Sequence, residues 1–557
     1  MLLNGSQILV ECLLEQGVDT VFGYPGGAVL NIYDELYKYS DRITHIETSH
    51  EQNAGHAADG YSRTTGKTGV VIATSGPGAT NLVTPIATAN MDSIPMVAIT
   101  GNVGRSLLGL DSFQEVDIVS ITKPVTKASF QIGDVSELAD TVRKAFYIAN
   151  EGRKGLVLID IPKDITAAMY EYEPKTPEVP SCVCDLSNID EAAALIAAAQ
   201  RPLIIAGGGV ILGNAEDQLA ALADRIDAAV AVTLMGTCSI PGSSHRFTGM
   251  LGMHGTKTSS MALTGSDLII ACGCRFSDRV TCSTDSFAEN IKGAKLIHID
   301  IDEKEKNKNV RADLFIHSDL APALSALLEK LPQQSHSEWM DSVDGWKKEY
   351  PLCQKSEDGI GVLPQQVLEA LCNLTDGNAI ITTEVGQHQI WAAQFYSFAS
   401  KKSLVTSGGL GTMGYGLGAA IGSKLGNPER QVINIAGDGS LYMNLAELST
   451  LAKYNIPVVE MVFNNSVLGM VRQWQRLFYG GRFSQTTLEK TTDLEAMAKA
   501  FGIEAVTVSN ADELEEKLSW ALSCGRPVLV NCIIGKDVNV LPMVPAGASV
   551  AEPILEL

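Results

Sequence analysis

The sequence predicts an α/β protein built from three doubly wound parallel-sheet domains. Apolar runs bounded on one side by glycine or proline, such as residues 431–436 and 457–463, indicate buried strands. Residues 441–453, which lie between these two runs, have helical spacing. At 557 residues the chain is too long for one hydrophobic core, and a prior of roughly 100 to 200 residues per domain suggests about three or four. The pattern along the chain favours three.

An internal repeat relates the two ends of the chain. Sliding the sequence along itself by 362 positions aligns residues 69–78 with 431–440, and residues 92–97 with 454–459, without a gap. Any two parallel-sheet proteins share strand–glycine–helix patterns, but the ungapped Ile-Pro match favours a common domain plan. We therefore expect an N-terminal domain at residues 1–170 and a related C-terminal domain at residues 360–540.

A third unit is expected between the two repeated ones. The proline spacing of residues 173–180 is typical of an extended linker. Alternating strands and helices then predict another parallel sheet in a central domain at residues 185–332. Its predicted strands are residues 203–206, 230–233, 268–271 and 296–301.

The composition excludes several classes of protein. A net charge of −22 and a pI near 4.9 would repel nucleic acid. The eleven cysteines include no Cys-x-x-Cys pair, so we expect reduced, mostly buried thiols instead of a zinc site. No apolar run approaches the ~20 residues of a membrane span, and the N-terminus predicts an amphipathic helix that ends at Gly17, not a signal peptide. We expect a cytoplasmic protein, or one imported into an organelle after processing, with neither nucleic-acid nor membrane partners.

Two short motifs in the last unit predict a magnesium site. The Gly-Asp-Gly of residues 437–439 and the Asn-Asn of residues 464–465 are separated by 24 residues that span one strand–helix–strand unit. Such a crossover brings both strand ends to one sheet edge, where Asp438, the Asn465 amide oxygen and the Val467 carbonyl can ligate Mg²⁺ beside phosphate oxygens. Each motif alone is usually a turn or loop, but the pair matches the thiamine-diphosphate motif. A Walker motif is absent from the sequence.

Further motifs occur in order along nearly the whole chain. They are residues 23–28, 50–61, 74–81, 113–115, 162–164, 251–255, 385–389, 408–416 and 470–475. On these segments the chain resembles the thiamine-diphosphate-dependent carboligases and decarboxylases, and within them the family of acetohydroxyacid synthase (acetolactate synthase) catalytic subunits. The resemblance implies an N-terminal pyrimidine-binding domain, a central domain of FAD-binding type, and a C-terminal domain that binds diphosphate and Mg²⁺.

The resemblance implies a thiamine-diphosphate site built around Glu51 and Met413. Glu51 would bond the aminopyrimidine ring and help it to remove the C2 proton, and Met413 would be the wedge beneath the bent cofactor. Without the motifs, Glu51 would be an ordinary helix-opening residue and Met413 core filler. The other residues assigned to this cofactor are Pro25, Gly386, Gln387, His388, Gly411, Gly437, Asp438, Gly439, Ser440, Asn465, Leu468, Gly469 and Met470.

The resemblance also implies FAD in the central domain. The glycine turn at residues 207–209 suits a phosphate at a helix N-terminus, and residues 275–279 resemble the Arg-Phe-Asp-Asp-Arg stretch of the FAD-containing enzymes, with Ser277 in place of the first Asp. The flavin would be structural, because carboligation transfers no net electrons. The residues assigned to FAD are Gly207, Gly208, Gly209, Leu251, Met253, His254, Gly273, Arg275, Asp300 and Asp319.

Five residues are assigned to the substrates by the same resemblance. Arg279 would hold the carboxylate of the second 2-oxoacid in a bidentate grip, and Trp474 would lie beside its alkyl group. Phe113, Gln114 and Lys163 would close the pocket from a neighbouring subunit, the last two with catalytic roles. Active sites at a dimer interface follow from this assignment.

The implied reaction is the synthesis of 2-acetolactate. Pyruvate would be decarboxylated on thiamine diphosphate, and its hydroxyethyl group would be added to pyruvate or 2-oxobutyrate, the first common step of branched-chain amino-acid biosynthesis. The enzyme would be a homodimer or homotetramer, with a small regulatory subunit as a further partner. The alternatives are a pyruvate oxidase-like flavoenzyme, an FAD-free catabolic acetolactate synthase and a non-catalytic regulatory homologue. Residues 275–279 and Trp474 disfavour the first two, and Asn102-Val103-Gly104, in place of the common Gln-Val-Pro, predicts a different pocket mouth.

Overall fold

A computed structural model of the chain describes residues 1–354, 359–488 and 491–556. It contains three six-stranded sheets, in each of which every pair of neighbouring strands is parallel. This confirms the predicted fold class. No helix in these three ranges is both long and apolar enough to cross a membrane.

The N-terminal unit contains the first parallel sheet and a short antiparallel ribbon. Its strands are β1 (Leu2–Asn4), β2 (Thr20–Gly23), β3 (Thr44–Glu47), β4 (Gly69–Ala73), β5 (Met96–Asn102), β6 (Ala128–Gln131), β7 (Leu156–Pro162) and β8 (Met169–Glu171). Its helices are α1 (Gly5–Glu15), α2 (Leu30–Lys38), α3 (Glu51–Thr65), α4 (Pro77–Asn81), α5 (Val83–Met91), α6 (Ile118–Thr122), α7 (Val135–Asn150) and α8 (Lys163–Ala167). The sheet order is β3-β2-β4-β5-β7-β6, and the fully buried β4, β5 and β7 are the apolar runs at its centre.

The start of the chain differs from the prediction of a continuous helix. Residues 2–4 form β1, which pairs with β8. Helix α1 then begins at Gly5, because Asn4 and Gln7 form a reciprocal capping box in which the Asn4 side chain accepts from the Gln7 amide at 2.9 Å.

The central unit contains the second parallel sheet. Its strands are β9 (Pro202–Ala206), β10 (Ala229–Val232), β11 (Phe247–Met250), β12 (Leu268–Cys272), β13 (Lys295–Asp300) and β14 (Leu314–His317). Its helices are α9 (Ile189–Ala198), α10 (Gly208–Leu212), α11 (Glu216–Arg225), α12 (Lys257–Gly265), α13 (Asp278–Thr281), α14 (Thr284–Asn290), α15 (Leu320–Lys330) and α16 (Ser337–Glu349). The order β11-β10-β9-β12-β13-β14 is the 3-2-1-4-5-6 arrangement of dinucleotide-binding sheets.

The C-terminal unit contains the third parallel sheet. Its strands are β15 (Ile380–Thr383), β16 (Leu404–Val405), β17 (Val432–Gly437), β18 (Val458–Asn464), β19 (Glu504–Val508) and β20 (Val528–Ile533). Its helices are α17 (Pro364–Thr375), α18 (Gln387–Phe395), α19 (Gly416–Gly426), α20 (Asp438–Asn444), α21 (Leu448–Tyr454), α22 (Gly469–Phe478), α23 (Leu494–Ala500) and α24 (Leu514–Ser523). Its order, β16-β15-β17-β18-β20-β19, repeats the connectivity of the first sheet, so the predicted internal repeat is confirmed.

The prediction of one continuous helix at residues 441–453 is wrong. The structure divides it into α20, a 3₁₀ turn at Leu445–Glu447, and α21. The turn buries the Glu447 side chain against the N-terminal unit, where backbone amides of Ser49 and His50 bond it. The helix is broken where it contacts a partner that is distant in the sequence.

The two related units pack through helices α3 and α19. A Cβ atom at Gly60 would lie 2.1 Å from the Ala419 carbonyl oxygen, and one at Gly422 would lie 1.8 Å from the Ala57 carbonyl oxygen. The 362-residue shift converts Ala57 to Ala419 and Gly60 to Gly422. The two helices therefore meet across a local pseudo-two-fold axis, with a glycine of each against the backbone of the other.

Gly422→Ala is expected to lower the free energy of unfolding by about 1 to 3 kcal/mol, because the added methyl group overlaps the Ala57 carbonyl. Gly345→Ala is the matched control, since Gly345 lies within α16 and its Cβ would meet no atom within 4 Å. That variant should be neutral or more stable by up to about 1 kcal/mol. Thermal unfolding of both variants measures the difference, and equal midpoints would contradict close helix packing at Gly422.

Candidate functional site

The metal motifs meet at the carboxyl edge of the third sheet. Strands β17 and β18 are neighbours, with Gly437 opposite Phe463, so Asp438 and Asn465 leave adjacent strand ends. Their side chains are 4% and 8% exposed. A Cβ atom at Gly439 would lie 2.7 Å from Leu468 Cδ2, so the two loops are in contact.

The loop after β18 has a constrained backbone. Ser466 has a φ of 57°, in the left-handed region that residues other than glycine rarely adopt. The Asn465 side-chain oxygen accepts a hydrogen bond from the Val467 amide at 3.2 Å, and Val467 is buried. Strain of this kind in a polar loop at a sheet edge is typical of functional sites.

Polar groups from the loop after β15 lie at the same edge. The His388 ring packs against Gly386 and Gly437, where Cβ atoms would lie 2.7 and 3.0 Å from its Cε1 atom. Burial lowers the pKa of His388 to about 3, so its imidazole is neutral near pH 7. In the described part of the chain, His388 Nε2 and the Gln387 side-chain oxygen are buried without a hydrogen-bond partner. Both atoms are therefore available to hydrogen-bond a bound cofactor.

Helix N-termini supply donors at this edge. Helix α22, which has ten residues, begins at Gly469, directly after Leu468 and followed by Met470. A Cβ atom at Gly469 would lie 1.9 Å from the Gln387 side-chain oxygen, so a larger residue there would displace Gln387. At the start of α20, Ser440 Oγ donates to the Gly437 carbonyl at 3.0 Å. Unpaired amides at helix N-termini are suited to phosphate groups.

The oxygen donors at this edge fit a magnesium ion that is also bound by a diphosphate. Asp438 provides a carboxylate, Asn465 an amide oxygen and Val467 a backbone carbonyl, all of them hard oxygen donors. The described residues contain no cluster of three His, Cys, Asp or Glu side chains that could bind a metal alone. Mg²⁺ commonly binds through one carboxylate together with phosphate oxygens, and this edge supplies the protein ligands of such a set.

Glu51 lies at the N-terminus of α3 in the first unit. It is the first helical residue and is half-buried, and its Oε2 atom accepts from the Asn81 side-chain amide at 2.9 Å. Gly78 leaves room for the carboxylate, because a Cβ there would lie 3.2 Å from Glu51 Oε1. Pro25, which follows β2 in the same unit, is exposed.

The Met413 loop is held at both ends by buried carboxylates. Asp92 of the N-terminal unit accepts from the amides of Gly408 and Gly409 at 3.1 and 2.8 Å. Glu384 accepts from the backbone amides of residues 414–417 and from Asn444. Between them, Gly411 has a φ of 71° and is exposed, and Met413 is half-buried. The loop therefore presents Met413 from a fixed base.

Glu384 is a site residue that the sequence reasoning missed. It is fully buried, and burial raises its pKa to about 7 although five donors face its carboxylate. The available signal was its position in Thr-Thr-Glu directly before Val385-Gly386. A carboxylate at the end of a buried strand has to find donors, and the next glycine-rich loop provides them.

The glycines of the central unit lie where the strand order of its sheet reverses. Gly207, Gly208 and Gly209 follow β9, and Gly273 follows the neighbouring β12. A Cβ at Gly209 would lie 2.7 Å from the Gly273 Cα atom, so the two loops touch through their backbones. This switch point is where dinucleotides bind in open α/β sheets, and the glycines leave the backbone accessible there.

The acidic residues assigned to FAD differ in their surroundings. Asp300, at the end of β13, is buried, and its carboxylate accepts from the Asp302 amide at 2.9 Å. The Asp319 carboxylate accepts from the Val183 amide at 2.9 Å and from the Cys182 thiol at 3.0 Å. Asp319 therefore fixes the linker to the central unit as well as lying near the sheet edge.

Each of the eleven cysteines is free, and six are buried.

The predicted substrate residues Arg279 and Trp474 lie together between the central and C-terminal units. The Arg279 guanidinium is 5.9 Å from the centre of the Trp474 ring, and its Nη1 atom is 2.9 Å from Met253 Sδ. Within the described ranges, the Trp474 Nε1 atom is buried without a partner. A cation over an indole, with an unused ring donor beside it, can accommodate a small carboxylate with an apolar tail.

The other central-unit residues assigned to FAD lie in the loops after β11 and β12. Leu251 and Met253 are buried in the loop after β11, and burial lowers the pKa of His254 to about 4. Arg275 reaches across to the first unit, where its Nη1 atom donates to the Met91 carbonyl at 2.6 Å. The site region thus includes parts of all three units.

Phe113, Gln114 and Lys163 are in the first unit. Phe113 is 87% exposed, Lys163 is exposed, and Gln114 has a φ of 60° where it packs against Gly76. The described contacts of one chain do not join these three side chains to Arg279 or Trp474. Their proposed role needs a second subunit.

Comparisons with known proteins agree with this architecture. Residues 3–121, 189–327 and 384–532 match the N-terminal TPP binding domain, the central domain and the C-terminal TPP binding domain of thiamine pyrophosphate enzymes. The chain is 44% identical to an acetolactate synthase large subunit of Pyropia yezoensis, covering 99% of this chain and 95% of that protein. Identity to the protein of the same name from Corynebacterium glutamicum is 44%, over 98% of this chain and 89% of the relative. The acetolactate synthase large subunit of Buchnera aphidicola is 42% identical, over 99% of this chain and 98% of that protein.

Proposed function

Because the chain belongs to the acetolactate synthase family of thiamine pyrophosphate enzymes, we propose that it is a catalytic subunit that joins two 2-oxoacids. Pyruvate loses CO₂, and its two-carbon fragment is added to the ketone carbon of pyruvate or 2-oxobutyrate. The products are 2-acetolactate or 2-aceto-2-hydroxybutyrate, at the first common step of branched-chain amino-acid biosynthesis. The similarity over nearly the whole chain favours this function over a pyruvate oxidase or a non-catalytic homologue.

The observation that carries the proposal is the Arg279–Trp474 pair. The guanidinium offers a planar pair of donors for the acceptor's carboxylate, and the indole offers an apolar face for its alkyl group. An oxidase that passes electrons to its flavin has no need of a pocket for a second 2-oxoacid. The pair therefore supports carboligation in particular.

Three groups of residues serve the cofactors in this proposal. Thiamine diphosphate, when bound, supplies the carbon that attacks pyruvate and stores the electron pair left by decarboxylation. Glu51 would hold a proton at the aminopyrimidine ring nitrogen, and Met413 would support the cofactor from below. Asp438, Asn465 and the Val467 carbonyl hold Mg²⁺ against the diphosphate, with Gln387 and His388 beside it.

FAD in the central unit is also part of the proposal. The 3-2-1-4-5-6 sheet, the touching glycine loops at its switch point and the half-buried Arg275 fit a dinucleotide. The flavin has a structural role, since carboligation leaves its oxidation state unchanged. The purified protein should then be yellow, and pyruvate should not bleach it.

A homo-oligomer follows from the exposed residues of the first unit. Pro25, Phe113 and Lys163 are all exposed in the single chain. In a dimer or tetramer, Phe113 and Lys163 would close the acceptor pocket of the neighbouring subunit, with Gln114 beside them. A small regulatory subunit and a cytoplasmic location belong to the same proposal.

The direct test is to incubate the purified protein with thiamine diphosphate, Mg²⁺ and pyruvate, and to assay acetolactate. We expect acetolactate and CO₂ in equal amounts, with no product when the cofactor or metal is omitted. Acetate formation with bleaching of the flavin would instead identify an oxidase. A protein that binds the cofactors but leaves pyruvate unchanged would be a non-catalytic homologue.

Trp474→Leu tests the acceptor pocket, because it removes the indole without touching the cofactor or metal residues. Packing of Trp474 against one extra carbon of 2-oxobutyrate is worth roughly 1 to 3 kcal/mol. With both acceptors competing, the ratio of acetohydroxybutyrate to acetolactate should fall on the order of tenfold. Total pyruvate consumption should stay within a few fold.

Trp520→Leu is the matched control, since Trp520 is 39% exposed on α24. Its product ratio should equal that of the unmodified protein. If Trp474→Leu leaves the ratio of acetohydroxybutyrate to acetolactate unchanged, Trp474 is an ordinary packing residue and does not contact the acceptor. Loss of all activity would mean that it supports the metal loop.

A further inference from the structure

A buried carboxylate of the C-terminal unit binds the backbone that precedes Glu51. Glu447 is fully buried, at the end of the 3₁₀ turn that separates α20 from α21. The Ser49 amide donates to both of its oxygens, at 3.1 and 3.0 Å, and the His50 amide donates to Oε1 at 3.1 Å. Thr450 Oγ1 donates to Oε2 at 2.6 Å. All of these partners are donors, which suits an ionised carboxylate.

These bonds cap helix α3 from another unit. The helix has its own N-cap, since the His50 ring nitrogen Nδ1 accepts from the Gln52 amide at 3.1 Å. Glu447 binds the two amides just before the first helical residue, and its negative charge lies near the positive end of the helix dipole. The direction in which α3 starts, and with it the Glu51 side chain, therefore depends on Glu447.

Neighbouring contacts hold the same turn. Ser49 Oγ bonds Ser449 Oγ at 2.8 Å, and the Glu47 amide donates to the Tyr454 hydroxyl at 3.1 Å. The residues from Glu47 to His50 are thus bound along one face of the C-terminal unit. A loose turn would need none of these bonds, whereas a turn that aims a proton-transferring group benefits from all of them.

The internal repeat provides a parallel arrangement. The 362-residue shift converts Glu47 to Gly409, and Asp92 to Tyr454. The contact between Glu47 and Tyr454 therefore corresponds to the bond from the Gly409 amide to the Asp92 carboxylate. In each unit the turn before the residue assigned to the cofactor, Glu51 or Met413, is held by side chains of the other unit.

We propose that Glu447 is a positioning residue for Glu51: through the amides of Ser49 and His50 it fixes the start of α3, so that the Glu51 carboxylate, bonded by Asn81, points at the aminopyrimidine ring. The proposal rests on the proposed function, since it needs a bound thiamine diphosphate whose C2 proton is removed. It assigns Glu447 no contact with cofactor or substrate.

The test variant is Glu447→Gln, which keeps the size of the side chain but turns an N–H group towards backbone donors. In the holoenzyme, NMR measures the exchange of the C2 proton of bound thiamine diphosphate with deuterium. We expect the exchange rate to fall about tenfold or more, while calorimetric affinity for the cofactor changes by no more than a few fold. In the cofactor-free protein, amide exchange by mass spectrometry should become faster in the peptide that contains Ser49 and His50.

Glu460→Gln is the matched control, because Glu460 is a buried carboxylate of the same unit that accepts from the Asn434 amide. It should lower neither the C2 exchange rate nor the amide protection of residues 47–50. If the C2 exchange rate of Glu447→Gln equals that of the unmodified protein, the inference is overturned. An equal loss in both variants would also overturn it, since any buried carboxylate would then have the same effect.

Glu447→Asp covers the case in which the glutamine variant does not fold. The shorter side chain keeps the charge but withdraws it from Ser49 and His50, and a reduced C2 exchange rate is again expected. Failure of both variants to fold would overturn the positioning role in favour of a structural one. If the unmodified protein makes no acetolactate, the proposed function itself fails, so the two failures are distinguishable.

Discussion

Glu51→Gln is expected to lower turnover by about 10² to 10⁴ while folding and cofactor binding are nearly unchanged, the range typical of losing a general acid–base group. The amide keeps the shape of the side chain and can still accept from Asn81, which bonds Glu51 at 2.9 Å. It cannot share a proton with the ring nitrogen. The loss should therefore appear in kcat and in the C2 exchange rate, with little change in the affinity for thiamine diphosphate.

Glu137→Gln provides the control for Glu51→Gln. Glu137 is also an acidic residue in the first turn of a helix of the N-terminal unit, α7, so the two substitutions remove the same charge from similar positions. Its turnover should stay within a few fold of the unmodified enzyme. Full activity in Glu51→Gln would remove Glu51 from the mechanism, and a matching loss in Glu137→Gln would point to a general effect of charge.

The parts of the fold that depend on local pattern could be predicted from the sequence. The central-unit strands at residues 203–206, 230–233, 268–271 and 296–301 all appear within one residue of the predicted bounds. Residues 203–206 and 268–271 are continuous apolar runs, and the other two strands are mostly apolar, the pattern of a strand buried on both faces. The adjacent positions of Asp438 and Asn465 were also predictable, because a parallel crossover has to return to the same sheet edge.

Features that depend on distant partners could not be predicted in the same way. Strand β1 forms because residues 2–4 pair with residues 169–171, and three residues carry no periodicity of their own. The break before α21 follows the burial of Glu447 against Ser49 of another unit. Glu447 has ordinary sequence surroundings, and Glu384 is marked only by its place before Val385-Gly386. The fold shows that each binds backbone amides next to a residue assigned to the cofactor. The proposed role of Phe113 depends on a second subunit.

Asp438→Ala is expected to abolish the Mg²⁺-dependent retention of thiamine diphosphate. The substitution removes one of the hard oxygen ligands and a negative charge that compensates the metal, and the remaining Asn465 and Val467 oxygens are neutral. Calorimetry at a fixed Mg²⁺ concentration should then detect no binding where the unmodified protein is saturated. Raising the Mg²⁺ concentration should restore binding poorly, because an Mg²⁺ ion without the Asp438 ligand binds the protein too weakly to hold the diphosphate there.

Asp493→Ala is the control for this prediction, since it removes a carboxylate that caps α23 in the same unit. It should cost about 1 kcal/mol of stability and leave cofactor affinity unchanged. Unchanged affinity in Asp438→Ala would mean that the metal is held elsewhere and that Asp438 only opens α20. Loss of cofactor binding without loss of folding would instead connect the Gly-Asp-Gly motif to the diphosphate, because this carboxylate lies where β17 and β18 end side by side.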